Sequence, residues 1–189
     1  VNELPEYINE VDRYFGSFID HPTIDLANEL RGTHRINGSS PMSLALYLET
    51  PPQLNVRNIL DPPPQDLDYR WTPDIIPKFM EAARLFAQDT KFMDFYNGLQ
   101  DFYDKTVQSM LSTLRNDNVL PWFEDYFGYT PGKYTIIIGM QTGFGNYGMS
   151  ITNRDSTKEF ISIIGASSPS WWSGIPQFSF DWFIPTVVH

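Results

Sequence analysis

The sequence predicts an α+β protein: a helical N-terminal half, then a small mixed or antiparallel sheet, then the start of a further helix. Two observations carry this. Apolar and aromatic residues recur at helical spacing through most of the first 115 positions. After position 130 that periodicity gives way to short β-branched runs bounded by turn residues. With 189 residues and 41% apolar content, the chain is long enough to bury a sizeable core. The expectation is one domain over 1–189, mainly helical over 1–128 and sheet plus helix start over 129–189.

Each element has its own signal. Tyr7, Ile8, Val11, Tyr14, Phe15 and Phe18 share one helical face, with Pro5 suited to a first turn. Asp20-His21-Pro22 is a break, after which Ile24, Leu26, Ala27 and Leu30 predict a second short helix. Met42 to Leu48 predicts a third. Pro51-Pro52 and Pro62-Pro63-Pro64 mark residues 51–70 as a partly extended surface connector, because proline fixes φ and removes a donor. Thr72 is a suitable N-cap and Pro73 fits the first helical position. The helix that follows carries Ile75, Ile76, Phe79, Met80, Ala83 and Phe86. Residues 89–115 continue helical, with Phe92, Phe95, Leu99, Phe102, Tyr103 and Met110 along one stripe. A stripe of this kind is a core face before it is a ligand box. Pro121 to Phe127 reads as a last short helix stopped by Gly128.

Tyr134-Thr135-Ile136-Ile137-Ile138-Gly139-Met140 reads as a buried strand. Tyr147 to Thr152 and Glu159 to Ile164 are two more strands. The turn residues Asn153-Arg154-Asp155-Ser156 between them favour an antiparallel hairpin. A loop from Gly165 to Gln177 contains Trp171-Trp172. Pro185, tolerated near a helix start, makes Phe178 to His189 an opening helix.

Composition excludes several function classes. A net charge of −10 disfavours nucleic acid and anionic membrane surfaces, which need a basic face. The absence of cysteine removes disulfides, Cys-ligated zinc, iron–sulfur clusters and thiol nucleophiles. No apolar run reaches the length of a membrane span. Gly143 to Gly148 offers glycines but precedes a strand and lacks the lysine of a phosphate cradle. No Gly-x-Ser-x-Gly elbow is present. Of the three histidines, His21 before Pro22 suits a capping or surface role, and His34 in a polar stretch is solvated.

His189 closes the run Trp182-Phe183-Ile184-Pro185-Thr186-Val187-Val188-His189, which looks like the entry to a His-Glu-x-x-His helix. Together with Val11-Asp12-Arg13-Tyr14-Phe15, Asp20-His21-Pro22 through Leu30-Arg31, Ser43-Leu44-Ala45-Leu46-Tyr47-Leu48 and Gly145-Asn146-Tyr147-Gly148, it resembles a bacterial domain-of-unknown-function family of zincin-like, zinc-metallopeptidase type. The resemblance implies a secreted or cell-envelope protein that hydrolyses peptide bonds with zinc-activated water. It implies His189 as the first zinc ligand, with the general base and the other ligands beyond it. In such a helix two histidines four apart lie on one face and share one zinc, and the glutamate between them serves as base. Zincins bind substrate backbone along an edge strand, and Gly145, Asn146, Tyr147 and Gly148 open the candidate for that edge. The expected partners are a peptide or protein substrate and the C-terminal continuation of the same chain. The alternative is a non-catalytic extracellular module that uses exposed aromatics such as Trp171-Trp172 to hold glycan or peptide. The codons after His189 decide the ligand assignment: Glu-x-x-His is expected there, and a reading frame with neither residue removes it.

Overall fold

The computed structural model describes residues 4–57, 60, 62–116, 133–142, 145–153, 157–166 and 174–178. Six helices come first: α1 (Pro5–Phe15), α2 (Pro22–Thr33), α3 (Ser39–Ala45), α4 (Ile75–Asp89), α5 (Phe92–Gly98) and α6 (Gln100–Asn116). Three strands follow: β1 (Lys133–Gly139), β2 (Asn146–Thr152) and β3 (Lys158–Gly165). The α+β class is as the sequence predicts. The expected helix at Pro121–Phe127 and the helix start near His189 lie outside the described residues. The chain divides into two compact units, one formed by Val1–Glu10, Leu99–Ser150 and Lys158–His189, the other by Val11–Gly98 and Ile151–Thr157.

The second unit is built on aromatic packing. Phe15 packs edge-on to Phe95 at 5.0 Å and stacks on Phe86 at 6.1 Å between ring centroids. Tyr14 reaches Phe95 at 5.1 Å. These contacts join residues far apart in sequence and bury large apolar areas. His21 caps α2: its Nδ1 accepts from Thr23 N–H at 3.1 Å, and Pro22 occupies the first helical position. Packing of α2 on α4 is reinforced by Thr23 Oγ1, which donates to the Ala82 carbonyl at 2.8 Å. Trp71, 2% exposed, is the large anchor of the connector. Its Nε1 donates to the Ser40 carbonyl at 2.7 Å, so the indole is buried with its one donor satisfied.

Several boundaries differ from the sequence expectation. α3 starts at Ser39, three residues early, because Gly38 with φ 58° turns the chain into it and Pro41 sits harmlessly in the first turn. At α4 the Thr72 carbonyl does accept from Ile76 N–H at 3.1 Å, but the Thr72 hydroxyl donates to Asp74 instead of capping. The helical stretch after position 89 is separate from α4 and is itself two helices, α5 and α6. Lys91 adopts φ 51°, a left-handed conformation that no helix continues through, and α5 begins after it.

In the first unit α6 presents Phe102, Tyr103, Thr106 and Met110, at helical spacing, toward the interior. Tyr7 of α1 stacks on Phe102 at 5.6 Å. The three strands form a mixed sheet in the order β1-β3-β2, with β1 parallel to β3 in the register Tyr134↔Phe160 through Gly139↔Gly165. Across the turn from β2 to β3, Asn153 N–H donates to the Thr157 carbonyl at 2.9 Å. β3 is central and nearly all buried, whereas β1 is only half-buried. The isoleucines of β1 were expected inside. Their strand lies at an edge of the sheet, and an edge strand has a neighbour on one side only.

Ile164 has 0% exposure in the central strand, while Val107 on α6 is 44% exposed. Ile164→Ala is expected to lower unfolding free energy by about 2–5 kcal/mol. Val107→Ala should change it by less than about 0.5 kcal/mol. Urea melts of the two variants check the assignment of core and surface.

Candidate functional site

The strand order puts β2 at an edge of the sheet: among the described residues β3 is its one strand partner. Gly145 precedes the strand and needs to be glycine. A Cβ there would lie 2.9 Å from the Thr142 carbonyl oxygen and 2.7 Å from the Tyr147 hydroxyl. Gly145 N–H donates to that same carbonyl at 2.9 Å, which fixes the entry to β2. Asn146 is turned into the sheet, its Oδ1 accepting from Gly165 N–H at 3.0 Å, so it ties the start of β2 to the end of β3. Tyr147 lies over Gly145, two residues back on the same face. Gly148 differs from all three. It is exposed, its backbone is ordinary, and the space where a Cβ would stand is open. Of the four expected substrate-binding residues, Gly145 and Asn146 shape the strand, and Gly148 leaves room beside it.

The described residues contain no group of three His, Asp or Glu able to hold a metal ion. His21 is used as a cap, and its Nε2 lies 3.2 Å from Asp89 Oδ2. His34 is exposed at the C-cap of α2, with Nδ1 2.7 Å from Thr33 Oγ1. Both histidines behave as the sequence expected. His189 and Trp171-Trp172 lie outside the described residues. A zinc ion therefore finds no matching donor set in the part of the chain that is described.

Several polar groups elsewhere are paired with one another, although among the described residues the buried Ser40 hydroxyl makes no hydrogen bond. Asp66 accepts from Tyr47 Oη at 2.6 Å and from Thr152 Oγ1 at 3.0 Å. Burial, and then the hydrogen bond to Asp66, push the Tyr47 phenol above its ordinary range. Asp68 holds Arg70 in a fork, with Nε to Oδ1 at 2.8 Å and Nη2 to Oδ2 at 2.7 Å. The Arg70 hydrogen bonds keep the Asp68 carboxyl below the usual carboxylate range. In the sheet, Glu159 is buried beside Lys133, 2.9 Å away, and accepts from Thr135 Oγ1 at 2.6 Å. On the opposite face Tyr134 shares a 2.5 Å hydrogen bond with Ser162, and burial raises the Tyr134 phenol. None of these groups is left poised for acid–base work.

A groove of about 610 Å³ lies along α4, lined by Val56, Pro73, Ile76, Met80, Glu81 and Arg84 among others. Arg84 is held away from anions: Nε donates to the Gln53 carbonyl at 2.6 Å and Nη2 to the Leu54 carbonyl at 3.1 Å. Sequence reasoning missed this groove. Its α4 residues follow helical spacing, and a stripe lining a groove has the same pattern as one filling a core.

A family model matches residues 1–171. The chain belongs to the domain of unknown function family DUF4932. That description names no activity, metal or substrate. No match is found among the curated proteins, and none among the solved structures. The DUF4932 match spans both the helical part and the sheet, so the edge strand belongs to the family region of the chain.

The Asp68–Arg70 fork sets a pH dependence. A carboxyl held low when folded adds stability above its ordinary range, and that stability is lost as pH falls through the folded value. Asp68→Asn is expected to cost about 1–3 kcal/mol at neutral pH. It should also flatten the acid side of the stability profile, measured by urea melts across the carboxylate range. An acid limb unchanged in the variant would remove the assignment.

Proposed function

We propose that this DUF4932 protein binds an extended peptide by strand addition to β2, as the substrate-recognition part of a zinc-dependent peptidase. The observation that carries the peptide reading is the sheet order β1-β3-β2, which places β2 at an edge with one strand neighbour among the described residues. An extended peptide satisfies the backbone groups on such an edge, and side-chain pockets beside alternate residues add selectivity. Gly148 supports the reading, because a residue without a side chain lets a second backbone come close. The zinc part rests on the sequence resemblance around His189 and on no described donor set, so no catalytic step is assigned here. The alternative of a non-catalytic binding module keeps the same peptide edge and omits the metal.

Gly148→Lys tests the peptide reading without disturbing the fold. The position has open space and an unstrained backbone, and replacing a strand glycine removes an entropic cost of about 0.5–1 kcal/mol. Stability should hold or rise. Affinity for a fluorescein-labelled pool of unstructured apolar peptides should fall at least about tenfold, or 1.4 kcal/mol, by anisotropy. Unchanged affinity in a fully folded variant removes β2 as the docking edge. Zinc content of the protein expressed with its natural C-terminal continuation, against His189→Ala, separates the peptidase reading from the binding module.

A further inference from the structure

The chain contains two Asn-Gly dipeptides, Asn37-Gly38 and Asn97-Gly98. All four residues are exposed, so access to water does not distinguish them. Their backbones do. Asn97 and Gly98 lie in the last turn of α5, where α-helical geometry directs the Gly98 N–H to the carbonyl four residues back. Asn37 lies in an irregular segment, and Gly38 is the N-cap of α3 with φ 58° and ψ −122°. Among the described residues the Gly38 N–H donates to no acceptor. The Asn37 side chain is also activated. Arg70 Nη1 donates to its Oδ1 at 3.3 Å and draws electron density from the amide carbonyl.

We infer that Asn37 is a spontaneous deamidation site of the folded protein and that Asn97, with the same following residue, is protected by its helix. In the first step the Gly38 backbone nitrogen loses its proton and bonds to the Asn37 side-chain carbonyl carbon. The bond from that carbon to the side-chain nitrogen breaks, and the nitrogen leaves as ammonia. A five-membered succinimide remains. Water then opens it at one of its two carbonyl carbons, giving aspartate or isoaspartate at position 37. No electrons are exchanged with a redox partner, and water is the one co-reactant. At Asn97 the same attack requires the Gly98 amide to leave its helical hydrogen bond first.

Both products add one negative charge to a chain that already carries a net −10, and they place it beside Arg70, whose charge Asp68 already engages. The isoaspartate product also routes the backbone through an extra methylene directly before α3, whose Ser40 and Leu44 are buried. The dipeptide is labile and yet hard to replace. Gly38 supplies a positive φ that other residues adopt only with strain, so the turn into α3 retains the sequence that makes its peptide bond reactive.

The test is incubation of the folded wild-type chain at physiological temperature and mildly alkaline pH, with circular dichroism confirming the fold. Proteolytic mapping then follows the gain of about one mass unit and the isoaspartate content at each site. Asn37 should convert at least about tenfold faster than Asn97, because the helix opens only in a minority of molecules. In concentrated urea the two rates should converge. Asn37→Gln, which would have to close a slower six-membered ring, should lose the early acidic species on ion exchange. Equal rates in the folded chain, a faster Asn97, or an acidic species that persists in Asn37→Gln would each overturn the inference.

Discussion

A strand with neighbours on both sides has no backbone edge to offer, and in this protein that strand is β3. The rest of the sheet follows from its place. Ile161, Ile163 and Ile164 are buried because both of its faces and both of its sides are covered. β1 is left half-exposed despite its isoleucines, and β2 has one strand neighbour among the described residues. The parallel register of β1 on β3 sets which polar groups meet. Tyr134 finds Ser162 on one face, and Glu159 finds Lys133 and Thr135 on the other. A buried carboxylate such as Glu159 is tolerable only with partners of that kind. The sheet is thus both the structural centre of its unit and the source of the surface proposed to bind peptide.

The helical unit shows a different economy of polar groups. Several of its polar groups are consumed by structure: His21 by a cap, Trp71 by the Ser40 carbonyl, Tyr47 and Thr152 by Asp66. Arg84, the cation of the α4 groove, is committed to two backbone carbonyls. Side chains engaged in this way hold shape and have little freedom to take part in chemistry.

Local elements were legible in the sequence, and pairings between distant elements were not. The helical stripes of α1, α4 and α6 and all three strands follow from periodicity, since burial of one face imposes it. His21 as a cap could be read from its place before Pro22. The division of α5 from α4 could not, because neither Thr90 nor Lys91 is a usual breaker and the interruption resides in the φ of Lys91. Equally hidden was the exposure of β1, since a run of β-branched residues states a preference for strand and not a position in the sheet. Within the candidate site, Gly145 and Gly148 look alike in sequence. The structure gives the first a steric reason and the second open space.

The strand order also has a consequence for synthesis. β1 leaves the ribosome before β2, yet neither pairs with the other; each must wait for β3, which arrives last and enters between them. β2 and β3 are close in sequence and can pair locally, whereas β1 pairs with β3 across the whole of the intervening β2, a slower event because more chain entropy is lost first. During that interval the isoleucine-rich β1 is an unpaired strand of high β propensity, the kind of segment through which nascent chains associate. Of the three strands, β1 therefore spends the longest time unpaired before β3 is made.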